Sequence, residues 1–104
     1  MKILSIKLEK HIMPESSGTG ASETDKIVVT CDNGKQRTVW IDIWCLPIEC
    51  IAREFKRGLR EAGFTLKNIE NLKEAFEMYV ENVGVNACCW TKKQILEANE
   101  ERCY

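Results

Sequence analysis

The chain has little of what usually announces a function. It holds one histidine and two prolines in 104 residues, and no apolar run approaches the roughly 18 residues that a membrane-spanning helix needs. The opening MKILSIKLEKH lacks both the apolar core and the cleavage site of an export signal. A cytoplasmic protein with no membrane partner is expected. Net charge is nearly absent as well, at −1, whereas a nucleic-acid-binding domain usually carries a clear basic excess. No Gly-Lys-Ser/Thr follows Gly18-Thr19-Gly20, which removes the phosphate-loop reading. His11 has no Ser or Asp/Glu partner at a telling spacing and reads as a surface residue, so no nucleophile, base and oxyanion set can be assembled. The expectation is a protein that is not an enzyme.

The remainder is an ordinary globular composition, 44% hydrophobic and 30% charged, of a size that supports one core. Leu4, Ile6 and Leu8 alternate with Ser5, Lys7 and Glu9, the period of a half-buried strand. Residues 14–25, PESSGTGASETD, have no apolar periodicity and predict a mobile loop. KIVVTC and QRTVWIDIW then flank Asp32-Asn33-Gly34-Lys35, a strong hairpin signal. A two-residue Asn-Gly loop sets Val29 opposite Thr38 and Ile27 opposite Trp40. One face then holds Ile27, Val29, Trp40 and Trp44, and the other Val28, Val39, Ile41 and Ile43. Either helices leave the tryptophan face open as a contact surface, or the N-terminal segment and loop cover it.

Helix punctuation follows. Pro47 suits the first position of a helix over 47–62, and Gly63 suits its left-handed end, with Phe64 reaching back to Leu59. A second helix starts from a cap at Thr65 or Asn68 and ends before Gly84, with Val85 meeting Val80. A third spans about 91–102, opened by a Thr91/Gln94 capping box and a Trp90 to Ile95 staple. The prediction is an α+β single domain. An N-terminal strand and an Asn-Gly hairpin form a three-stranded antiparallel sheet within residues 1–46, and three helices fill 47–104.

Six cysteines fall short of a disulfide scaffold, and in a reducing compartment they are expected as thiols. Asp42, Trp44, Cys45, Pro47 and Cys50, at a strand-to-helix junction, resemble over about ten residues the Trp-Cys-x-x-Cys motif of the thioredoxin family. That resemblance implies a redox thiol activated at a helix N-terminus. Here Cys50 lies five positions after Cys45 rather than three, and a hairpin precedes the motif in place of a strand-helix-strand unit. A zinc site is the companion alternative, yet no CxxC or HxxxH pair is present. Packed as small hydrophobes, the cysteines need neither chemistry. No cofactor is expected.

Charge placement is the most informative feature. At 100° per residue, Arg53, Lys56, Arg57 and Arg60 lie opposite the apolar side of the first helix, and Glu70, Glu74, Glu77 and Glu81 opposite that of the second. Like charges four apart weaken an isolated helix slightly, so folding alone favours mixed signs. A plain solvated face is the bland explanation. Two binding readings compete with it. In the first, the acidic stripe occupies a basic groove on a nucleic-acid-handling protein partner. In the second, Arg53, Lys56, Arg57 and Arg60 contact phosphates while Trp40 stacks on a base. A homodimer that pairs the two stripes is a further possibility. Small cytosolic domains with a hairpin and an acidic helix resemble phage-encoded inhibitors of host defence such as the anti-CRISPR proteins, and that architectural likeness implies an inhibitory role for the acidic stripe.

Overall fold

The computed structural model describes residues 1–12, 24–42, 47–83 and 90–100. Strands β1 (Ile3–Ile12), β2 (Thr24–Cys31) and β3 (Gln36–Asp42) form an antiparallel sheet in the order β1-β2-β3. Helices α1 (Ile51–Glu61), α2 (Leu72–Asn82) and α3 (Lys92–Ala98) follow. The sheet and helices expected from the sequence are therefore present. Thr24 and Asp25, assigned above to the mobile loop, already belong to β2. The rest of that loop lies outside the described residues, as do Trp44, Gly84 and Val85.

The hairpin register differs from expectation by one residue. Gly34 N–H donates to the Cys31 carbonyl (3.0 Å) and Cys31 N–H to that of Lys35 (2.9 Å). The loop thus has three residues, with Gly34 alone supplying the left-handed step at φ 80°, the pattern of a type I turn closed by a glycine bulge. Val29 consequently faces Arg37, Val28 faces Thr38, Ile27 faces Val39 and Lys26 faces Trp40. A one-residue slip moves every side chain to the other face. Ile27, Val29, Val39 and Ile41 therefore share the buried side, while Trp40 is 46% exposed on the opposite side.

All three helices pack on the buried side. α2 crosses β1, α1 crosses β3, and α3 rests on α2 and on the 3-10 turn Ile48–Cys50 that precedes α1. Phe55 of α1 packs on α2, with ring centroids 5.0 Å from Tyr79 and 5.7 Å from Phe76. Burying three such rings contributes several kcal/mol, at about 25 cal/mol per Å² of apolar surface. Gly58 permits the close approach of α1, since a Cβ there would lie 3.0 Å from the Trp40 carbonyl oxygen and 3.1 Å from Val39 and Ile41 side chains.

Helix ends match the sequence in part. Gly63 (φ 97°) ends α1, with Phe64 N–H donating to Leu59 and Gly63 N–H to Arg60, the two bonds of a Schellman ending. The Thr91/Gln94 capping box opens α3. Pro47, however, stands before the 3-10 turn, and α1 begins only at Ile51. The second helix starts at Leu72, later than Thr65 or Asn68 would place it, because the chain before it is used differently. Met1 carbonyl accepts from Glu70 N–H (2.9 Å), and the Asn71 carboxamide bonds both main-chain groups of Ile3 (2.8 and 2.9 Å). Thr65 therefore precedes only a 3-10 turn, Leu66–Asn68, while Asn68 to Asn71 hold the start of β1 and Glu70 sits in a turn.

Asn99 makes a second such connection. Fully buried, it accepts from Ala52 N–H (3.1 Å) and donates to the carbonyls of Ile48 and Ile95 (2.8 and 2.7 Å). It supplies from α3 the cap that Cys50, with no side-chain cap bond of its own, does not give α1.

Candidate functional site

The four glutamates of the acidic stripe have different surroundings. Glu70, in its turn, lies 3.7 Å from the Met1 ammonium, and Glu81, on the last turn of α2, lies 3.1 Å from Lys92 of α3. Glu74 accepts from the Asn71 carboxamide (3.1 Å). Glu77 is half-buried at the boundary between α2 and α3. There α3 contributes Glu97 and Glu100, two carboxylates outside the sequence-derived stripe. With Lys73 they rim a groove of about 220 Å³ floored by Phe76 and Leu96. The spacing Glu97/Glu100 puts both on one side of a helix, but the convergence with Glu77 depends on how α3 docks on α2.

The basic stripe of α1 is partly neutralised. Arg57 forms ion pairs with Glu54 and with Glu61 (2.6 Å) and lies 3.9 Å from Asp42. Hydrogen bonds to Glu54 and then Glu61 raise its pKa above the usual arginine value. Arg53 donates to Cys50 Sγ (3.2 Å) and is exposed, as is Arg60, while Lys56 is half-buried. Trp40 does not join this stripe. It stands on the open side of the sheet, with the Lys26 ammonium 5.4 Å from its ring centroid.

His11 is not an unpartnered surface residue. Strand pairing sets it opposite Asp25, whose carboxylate is fully buried and lies 2.6 Å from His11 Nδ1. The separation of 14 residues hid the pair from a search of local spacing. Nearby Tyr79 is also buried, and its hydroxyl has no hydrogen-bond partner among the described residues. Burial first, then the charges of Asp25 and Glu54, push its pKa well above the ordinary tyrosine value, so it stays a neutral phenol.

Cys31 is buried, and burial pushes its thiol pKa up, the opposite of what an attacking thiolate needs. Trp44 and Cys45, on which the thioredoxin resemblance turns, lie outside the described residues, together with Cys88, Cys89 and Cys103. Among the described residues no three His, Cys, Asp or Glu side chains gather as a metal site, and no helix is long and apolar enough to cross a membrane. No protein-family model, no curated protein and no solved structure matches the chain.

Proposed function

We propose that the protein is a binding domain that presents its α2–α3 side to a basic protein partner, and that it inhibits or regulates a partner that handles nucleic acid. The observation that carries this reading is the groove in which three carboxylates, Glu77, Glu97 and Glu100, outnumber the one cation on the rim, Lys73, around an apolar floor of Phe76 and Leu96. An arginine or lysine side chain suits such a place at both ends. Its aliphatic stem covers the floor, and its cationic head meets carboxylates that can form charge-assisted hydrogen bonds. Glu74 extends the same negative field along α2 and would steer a basic partner to the groove. Surfaces that hold phosphate backbones are basic for the same electrostatic reason, and occupying one would keep nucleic acid out.

The test is capture of partners from the native host with wild-type protein and with Glu77→Lys plus Glu97→Lys, followed by titration of the purified partner. Wild type is expected to hold a protein with a basic surface patch, with affinity falling as salt rises. Charge reversal should lower that affinity at least tenfold, because it places like charges against each other. Equal affinity of the two forms would overturn the reading.

A further inference from the structure

We infer that the open face of the sheet is a second docking surface, for single-stranded RNA, with Trp40 as its stacking platform and Lys7, Lys10 and Lys26 as the groups that hold phosphates. The strand register lays this face out as a grid. Lys10, Lys26 and Trp40 form one row across the three strands, and Lys7, Val28 and Thr38 form the next. Adjacent strands lie about 4.8 Å apart, and same-face rows are roughly 6.6 Å apart along them. Three ammonium groups and an indole therefore fall within a patch that a few nucleotides would cover.

Folding does not require this composition. The helices cover the other side of the sheet, and Trp40 is 46% exposed although buried positions for large apolar side chains lie one residue away on either side, at Val39 and Ile41. Lys26, half-buried against Trp40, is opposed by Glu9 at 3.4 Å, while Lys7 and Lys10 are exposed. Beyond the Trp40 row the carboxylate of Asp42, which accepts from Thr24 (3.0 Å), bounds the basic area. At the β3 edge a cavity of about 180 Å³ separates Trp40 and Thr38 from Gly58, Glu61 and Ala62 of α1, so the Glu61 carboxylate marks the limit of the basic area on that side. Stacking on an exposed aromatic accepts any base, and lysines along the same strip hold the backbone.

RNA rather than DNA is favoured by the third row. Ser5, Thr30 and Gln36 follow Lys7, Val28 and Thr38 on this face, so hydroxyl and carboxamide groups lie beside the basic patch. Such groups can both donate to and accept from a 2′-hydroxyl. The near-zero net charge does not conflict with the assignment, because Lys7, Lys10 and Lys26 outnumber Glu9 within this patch, while Asp42 and Glu61 stand at its edge.

The experiment is fluorescence anisotropy with a labelled oligouridine decamer and the deoxy oligomer of matching length, at several salt concentrations. RNA should bind more tightly than DNA. Trp40→Ala should weaken RNA binding roughly fivefold to a hundredfold. Lys7→Gln plus Lys10→Gln should weaken it too, and flatten the log–log salt dependence by about 1.4, near 0.7 for each phosphate that the variant no longer neutralises. Glu77→Lys plus Glu97→Lys should bind RNA no less well than wild type, which separates this surface from the α2–α3 groove. Unchanged affinity in both sheet-face variants, equal affinity for the deoxy oligomer, or no binding by wild type at low salt would each overturn the assignment.

Discussion

The two sides of the sheet are built from alternate residues of the same three strands, yet they obey different rules. On the helix side, Ile3, Ile6, Ile27, Val29, Val39 and Ile41 are each at most 2% exposed and pack against Phe55, Leu59, Phe76 and Tyr79 in one cluster. On the other side stand Lys7, Lys26, Thr38 and Trp40, of which Lys26 lies over the Trp40 ring. Their neighbours in sequence are fixed by the core, whereas these residues are free to answer to something outside the molecule. The difference separates what the chain needs in order to fold from what it offers to a partner, and each side can be broken independently.

The helix side should break most severely at Phe55, where the aromatic cluster of α1 and α2 meets. Phe55→Ala should lower stability by about 3–5 kcal/mol, through the apolar surface returned to water and the cavity left behind. Denaturant titration followed by circular dichroism reads that loss, and a cost below about 1 kcal/mol would mean that the ring is not held as described. Asn99→Ala tests the link between α3 and the start of α1. It leaves Ala52 N–H and the Ile48 and Ile95 carbonyls without the carboxamide that now bonds them. Each unsatisfied buried group costs about 1–3 kcal/mol, and solvent admitted at the frayed end of α1 reduces the sum. A loss of about 2–3 kcal/mol is expected, with faster amide exchange in the first turn of α1.

How much of this was legible follows from how local each signal is. Gly63, Thr91 with Gln94, and the apolar faces of the helices are read within five residues, and the structure places them as expected. The Asn-Gly turn is present too, but two-residue and three-residue loops use the same dipeptide. The added residue moved Trp40 from the expected face of Ile27 and Val29 to the open side. Asn71 and Asn99 carry no local signal. Each could cap a helix by its type, yet their carboxamides act at separations of 68 and 47 residues. The same holds for the His11–Asp25 pair, and for the groove, which needs Glu77 from α2 and Glu97 and Glu100 from α3. Charge periodicity found the helix faces, but only their docking decided which carboxylates share a site.

The smallest expected effect on stability is also the sharpest test of the comparison. Trp40→Ser removes a large aromatic residue from a strand, a change that in a core costs about 3–5 kcal/mol. Trp40 is 46% exposed, the Lys26 ammonium lies 5.4 Å from its ring centroid, and among the described residues the helices pack on the opposite side of the sheet. An exposed cation–π pair is worth about 0.5–1 kcal/mol, and serine gives up part of the β preference of an aromatic residue. The loss should stay near 1 kcal/mol, within a few degrees of the wild-type melting temperature for a domain of this size. A loss at Trp40 comparable with that at Phe55 would show that the indole is structural. The two sides of the sheet would then both belong to the folded core, and a surface free for recognition would have to be sought on the helices.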